Sequence, residues 1–430
     1  MISLRNPALA AVLLLTASSV RAEEPLTLAD ALRLAADRNP DLLAARADLA
    51  AADAQRVAAA QLPNPTLSYS TAKIPTDGTS ASTDLGNGFY DRSYDTIVAF
   101  NQLVEVGGKR GARKRSAAEG YAASEARLLD VERLLPAAVV RAYGAALVSR
   151  SAAALARESS ESFQKTAALA AAREEAGQIS KADRLQVEIA SARFEADAVQ
   201  ADAGAAAAIL ALETILGLPA ATSLPLADTL EGIARDSAAS PPPAADEVAI
   251  ADRPDVRALE SALRRAEADR DLQKAGRVPD PTFLAQYERE PPDKTNTVGF
   301  GVSFPLPVFN RNRAGILAAE AAIVSARRDL AFGQFRARRD LLSARATLAA
   351  AEIRERRLAG EVLPKAEAVR ETVSFAWERG AASLLELLEA NRSANEARLA
   401  ALSARADLAA ARADLRAALG GASRPERTSR

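Results

Sequence analysis

Two periods alternate along the chain. From Leu26-Thr27-Leu28-Ala29-Asp30-Ala31-Leu32 to about residue 61 the apolar positions recur at helical spacing, with Thr27 as N-cap and Asp30 as the acid at N3. A break is expected at Asn39-Pro40, and Pro63 and Pro65 stop the helix. The spacing then becomes two. In a strand over about 66–73, Leu67, Tyr69 and Thr71 lie on one side and Ser68, Ser70 and Ala72 on the other. A Gly/Ser/Thr/Asp-rich loop follows. A second strand over about 92–104 sets Tyr94, Thr96, Val98 and Phe100 against Asp95, Ile97, Ala99 and Asn101, and ends at Gly107-Gly108. From 109 to about 176 the pattern is helical for roughly 65 residues, on the order of 100 Å, with Pro136 as a local bend. A return helix runs to about 216, and two antiparallel helices of that length suggest a coiled-coil rod.

The same programme then restarts. Residues 218–246, with Pro219, Pro225 and Pro241-Pro242-Pro243, read as a connector with little regular structure. Arg253-Pro254-Asp255 echoes Asn39-Pro40-Asp41, and Pro279-Asp280-Pro281 echoes Pro63-Asn64-Pro65. Strands follow over about 282–288 and 295–304, with Phe283, Ala285 and Tyr287, then Val298, Phe300, Val302 and Phe304, each set on one face. Helices span about 311–419, with Pro364 as a break or bend, and 420–430 is a polar tail. The mature chain is thus two repeats, 23–217 and 247–419, and duplication is the organising feature.

Each long helix ends in the same pattern, G-x-x-S-x-x-[DE]-x-L. It starts at Gly177 and again at Gly380. A glycine just past a helix end takes the left-handed conformation at little cost. Ser180 with Asp183, and Ser383 with Glu386, then make a capping box for the next helix. These are hairpin tips over 177–183 and 380–386. Glu386 and Glu389 share a helix face at the second tip, whereas the first carries Asp183 and Gln186.

Composition narrows the chemistry. Lys+Arg is 55 and Asp+Glu 56 in 430 residues, a balance that offers no basic face to nucleic acid. Apolar residues make up 49% but aromatics only 4%, the signature of long Ala/Leu helices. Cys and His are both absent, which excludes disulfides, Cys/His metal sites and His- or Cys-based catalysis. No cofactor, catalytic group or resident metal is expected, and the chain is read as a non-enzyme. Residues 1–22 read as a secretory signal, with Arg5, an apolar core from Ala8 to Ala17 and Val20-Arg21-Ala22 as the cleavage pattern. Beyond it no apolar run reaches the ~18–20 residues of a membrane helix, and with no Cys no lipid anchor on Cys is expected.

The strands suit a membrane-spanning barrel in length and alternation, lipid outside and water inside. Open sheet edges are not tolerated in lipid, so four strands must close with other copies; three copies give twelve strands, and their helices a tube. That argues for a duct. The duplicated layout, the Leu26–Leu32 start, the Asn39 and Arg253 starts, the Pro-x-Pro strand entries and the two tips resemble the TolC-like outer membrane efflux proteins. Gln102–Arg110 and Phe304–Arg313 are similar to their heavy-metal-resistance branch.

The resemblance implies a mainly α protein with membrane β. It would be a homotrimeric twelve-stranded outer membrane barrel continued by a periplasmic coiled-coil tube, exporting heavy-metal cations. The implied partners are a periplasmic adaptor, an inner-membrane RND pump and outer membrane lipid, with no nucleic acid. Drugs or type I secretion cargo are the alternative, and an exported structural coiled coil the alternative of another class. The resemblance also places Glu386 and Glu389 at the aperture, where crowded carboxylates raise one another's pKa, and Gly177, Ser180, Asp183, Gly380 and Ser383 at the adaptor contact. Lys109, Arg110, Arg311 and Arg313, where strand meets helix, are expected near anionic headgroups.

Overall fold

The computed structural model describes residues 25–72, 95–220, 224–236, 250–290 and 295–420. The expected signal segment, the whole 73–91 loop, Tyr94 and nearly all of the polar tail lie outside them. Among the described residues the first half runs α1 (Leu28–Arg38), α2 (Pro40–Ala60), β1 (Thr66–Ala72), β2 (Asp95–Leu103), α3 (Lys109–Glu175) and α4 (Lys181–Leu216), followed by α5 (Leu230–Asp236). The second half repeats the order as α6 (Pro254–Ala275), β3 (Thr282–Glu290), β4 (Thr295–Ser303), α7 (Arg313–Arg357), α8 (Leu363–Glu378) and α9 (Leu384–Ala418).

The chain divides into two compact units. One comprises residues 1–40, 134–242 and 344–417, the other 41–133, 243–343 and 418–430.

The first unit is helical. Its core gathers Ala31 and Ala35 of α1, Val139, Tyr143, Ala146 and Leu147 of α3, and Leu212 and Leu216 of α4. Leu226, Leu230 and Ile233 join that core, so part of the segment read as a connector with little regular structure is packed. Leu226 also makes a parallel bridge with Leu26. The buried Tyr143 hydroxyl donates to the Leu26 carbonyl at 2.7 Å and lies 3.0 Å from Asp228 Oδ2. The Leu28 N–H donates to the same Asp228 oxygen at 2.6 Å. Burial, opposed by the Asp228 N–H, pushes the Tyr143 phenol well above its ordinary range. Thr27 accepts from the Asp30 N–H and caps α1 as expected.

Gly217, at the end of α4, has φ 66°, and a Cβ there would strike the Arg38 carbonyl group, with its carbon at 2.9 Å. Both strain and collision oppose a side chain. Gly217→Ala is expected to lower stability by about 2 kcal/mol or more, from roughly 1 kcal/mol of backbone strain plus displacement of α1. Thermal melting checks this; an unchanged melting temperature would mean that α1 yields freely.

Helices α3 and α4 are antiparallel neighbours. Arg157 pairs with Asp202 at 2.5 Å, and further on the rings of Phe163 and Phe194 stack at 4.2 Å. Among the described residues α4 is the one helix long and apolar enough to cross a bilayer by length and composition, where the sequence reading expected no apolar run of that length. Its ion pair with α3 and its place in the helical core give it another role. Between α7 and α8 the helix widens into a π-turn over Leu358–Val362. Pro364 lacks an N–H and its ring conflicts with the carbonyl four residues back, at Gly360, so a local widening is the expected relief.

The second unit holds one four-stranded antiparallel sheet in the order β1-β2-β3-β4. The two hairpins of the duplicated halves are joined by β2 and β3, which pair from Thr96 opposite Arg289 to Leu103 opposite Thr282.

Candidate functional site: a two-faced sheet and two matched tips

The register sorts side chains by chemistry. Leu67 lies opposite Phe100, which lies opposite Ala285, which lies opposite Phe300. Tyr69, Val98, Tyr287 and Val298 form the next row. Directly opposite residues share a face, so the four apolar sets read from the sequence meet on one side. That side is bare: Leu67 is 73% exposed, Val298 66% and Phe300 84%. The other side carries Ser68, Ser70, Asn101, Gln286, Glu288, Thr297 and the glycines 299 and 301. An apolar patch of this extent on a sheet whose outer strands lack further partners among the described residues is the reverse of a soluble sheet.

On the polar face the carboxylates of Asp95, Glu288 and Glu290 have oxygens within 4.8 Å of one another. An all-carboxylate set suits hard cations over soft ones. Asp95 is buried and makes other contacts, and Glu288 and Glu290 are half-buried, so the three are noted only as a local concentration of negative charge.

Where strand meets helix, the basic residues are tied down within the chain. Lys109 pairs with Asp280 at 2.7 Å and donates to the Val278 carbonyl at 2.6 Å, while the Val106 N–H donates to Asp280 at 2.9 Å. The Lys109 ammonium and the Val106 N–H outweigh burial and hold the Asp280 carboxyl below its ordinary range. Arg110 donates twice to the Ala60 carbonyl at the end of α2, at 3.0 and 2.7 Å. Arg113 reaches Ala59 and Gln61 beside it and grips Glu105 with both arms. Lys109 and Arg110 therefore serve first as junction ties. Arg311 and Arg313, in the matching place of the second half, are exposed.

The two tips are built alike. Gly177 has φ 72° and Gly380 φ 74°, and a Cβ on either would meet nothing within 4 Å, so the backbone sign, not space, calls for glycine. At the first tip the Gln178 N–H returns to Arg173 O and that of Gly177 to Glu174 O, both at 2.8 Å. At the second the Ala381 N–H returns to Ala376 O at 2.8 Å and that of Gly380 to Trp377 O at 3.0 Å. Ser180 and Asp183 complete a capping box for α4. The Glu386 N–H donates to Ser383 Oγ at 3.3 Å, and the Ser383 N–H donates back to Glu386 Oε2 at 2.7 Å.

Glu386 and Glu389 are both exposed. The Ser383 N–H, then its hydroxyl, holds the Glu386 carboxyl below its ordinary range. Within one chain the cap sets that direction, opposite to the one expected from crowding among copies.

One contact escaped the sequence reading. Arg173 of the first tip donates to the Glu378 carbonyl of the second at 3.0 Å and lies over the Trp377 ring at 4.9 Å. The only signal was the position of the single Trp, three residues before Gly380.

A duplicated unit of helices, a strand pair and a long helical hairpin, bearing a bare apolar sheet face, defines the outer membrane channel class of fold. The family described as "Outer membrane efflux protein" matches residues 31–218 and again 247–421, and the chain belongs to it. The cobalt-zinc-cadmium resistance protein CzcC of Cupriavidus metallidurans is 27% identical over 378 residues, 88% of this chain and 86% of that protein. The solved CusC channel superposes with a TM-score of 0.74 at 19% identity, covering 92% of both chains. The open-state MtrE outer membrane channel of Neisseria gonorrhoeae gives 0.72 at 23% identity, covering 92% of this chain and 89% of that one.

Proposed function

We propose that this protein is the outer membrane channel of an RND-type efflux system that exports heavy-metal cations. The observation that carries the channel reading is the sheet: one face apolar and bare, the other polar, both outer strands open among the described residues. Lipid satisfies the apolar face, and only closure with further copies satisfies the edges. Three copies give twelve strands, enough to leave a water-filled lumen where eight would be filled by side chains. The metal cargo rests on the likeness to CzcC. The helical hairpins form the periplasmic tube, their tips meet an adaptor, and the inner-membrane pump supplies the energy. A structural coiled coil accounts for the hairpins and leaves the apolar sheet face without a purpose.

A deletion strain challenged with zinc, cobalt, cadmium, nickel, copper and silver, beside dyes and detergents, tests the cargo. Sensitivity to one or more metals is expected, and sensitivity to dyes alone would reject it.

At the second tip Glu386 and Glu389 would form a ring of six carboxylates in a trimer, a cation-selective constriction. Glu386→Gln with Glu389→Gln is expected to weaken divalent-cation block of single channels in planar bilayers. Gln can still accept the Ser383 hydrogen bonds, which separates charge from capping. Unchanged block would remove the pair from the aperture. Arg311, exposed where strand meets helix, would meet anionic headgroups.

A further inference from the structure

The duplication places two copies of one seam in the sheet's plan. The first, β2 against β3, lies inside the chain. The second, β4 against whatever closes the sheet, has its two sides at opposite edges. Resting on the channel reading above, the first serves as a template for the second.

The hairpins correspond through their registers. Thr66 opposite Asn101 matches Thr282 opposite Ser303, each pair starting at the residue after a Pro-x-Pro entry. Asn101 thus corresponds to Ser303, and Leu284 to Ser68. Inside the chain Asn101 lies opposite Leu284. The template therefore sets Ser303 opposite Ser68, and Val302 opposite Tyr69, which keeps apolar facing apolar. The ends of the seam correspond as well. Gly108 (φ 80°) precedes Lys109, first residue of α3, and Asn312 (φ 54°) precedes Arg313, first residue of α7. Asp280, partner of Lys109, corresponds to Asn64. Counted from the corresponding residues Asn101 and Ser303, the way to α7 is two residues longer than the way to α3, and a tight turn in which the Val308 N–H returns to Leu306 O at 2.8 Å takes up the excess. Bare apolar groups flank both open edges, Leu306 at 71% and Phe309 fully exposed beside β4, Leu62 at 65% beside β1.

We infer that a second copy of this chain pairs its β1 with β4 in this register, Ser303 opposite Ser68 of that copy, with Arg313 hydrogen-bonding Asn64 where Lys109 pairs with Asp280. The seam between copies thus replaces the Lys109–Asp280 ion pair within the chain by an arginine donating to an uncharged amide.

The absence of cysteine makes the test direct. Directly opposite Cα atoms lie ~4.5–5.5 Å apart, within disulfide reach, which ends near ~7 Å. Residues displaced by two positions fall at or beyond it. Within one chain β1 and β4 are three strand spacings apart, about 14 Å, so any bridge joins two copies. Full-length Ser68→Cys/Ser303→Cys, oxidised in the outer membrane, is expected to run as covalent dimer and trimer on denaturing gels. Ser70→Cys/Ser303→Cys and each single variant are expected to stay monomeric. A bridge only in the offset pair would overturn the register. A detergent-stable trimer with no bridge in either pair would overturn the seam and leave the channel reading standing, whereas a detergent-extracted monomer would overturn both. Asn64→Asp restores the carboxylate and is expected to raise the temperature at which the trimer dissociates; an unchanged temperature would overturn the Arg313–Asn64 contact.

Discussion

Phe100→Arg is expected to abolish assembly into the outer membrane, while Asn101→Arg, one residue along, leaves assembled protein near the wild-type amount. Phe100 sits near the middle of β2 on the bare apolar face, between Leu67 and Ala285. Asn101 points to the polar face. An arginine on the lipid face of a barrel costs ~2–4 kcal/mol near the bilayer midplane. In a trimer every copy carries it, so the cost triples to a scale comparable with the whole stability of a domain. On the polar face the guanidinium meets water and the cost is small. Quantifying heat-resistant trimer in outer membrane fractions checks the pair. Equal yields would mean that the apolar face is covered by protein, not lipid.

Arg253→Ala is expected to be the most damaging change outside the sheet. Arg253 is 2% exposed and grips Asp255 with two hydrogen bonds, at 3.0 and 2.7 Å. It also donates to Asp340 at 3.2 Å, to the Ala337 carbonyl at 3.2 Å and to that of Ala418 at 3.3 Å. One guanidinium thus joins the start of α6, the middle of α7 and the end of α9. Removing one partner of a buried ion pair costs ~3–5 kcal/mol because the others are left unpaired. Asp255 is 30% exposed and Asp340 48%, so the loss should fall at the lower end, about 3 kcal/mol. Lysine keeps the charge and loses the fork, so Arg253→Lys should fall between.

Acid adds a second signature. Burial alone would push the Asp255 carboxyl up, but the hydrogen bonds and charge of Arg253 outweigh it and hold it below its ordinary range. That stabilisation is present above the ordinary carboxylate pKa and is lost as pH falls through the lowered one. The wild type should therefore lose melting temperature below about pH 4 more steeply than Arg253→Ala. Parallel curves would show that Asp255 does not feel Arg253.

The same knot shows how the halves diverged. Asn39 stands where Arg253 stands, also before a proline and also buried, and its amide donates to the Ile215 carbonyl at 2.8 Å near the end of α4. Both residues bind a carbonyl at the end of the returning helix, one through a neutral amide, the other through a charged fork. Sequence spacing revealed the correspondence but not the shared bond.

Local rules settled much of this protein from the chain alone. Period-two alternation placed Leu67, Phe100, Phe283 and Phe300 on their faces because a strand's side chains have only two directions. Gly177 and Gly380 declared the tips because few residues tolerate positive φ, and the serines with their acids declared the caps. Repetition of those local signals exposed the duplication. Tertiary structure alone decided which distant elements meet. Nothing in the alternation says that β2 pairs with β3 across almost two hundred intervening residues, since any antiparallel partner with the same period would serve. Nor does it say that Lys109 finds Asp280, that Arg173 lies on Trp377, or that Leu226 and Ile233 of a proline-rich stretch enter the core. Those contacts depend on the closure of long loops, whose outcome is fixed by the packing of the whole chain and not by the residues beside them.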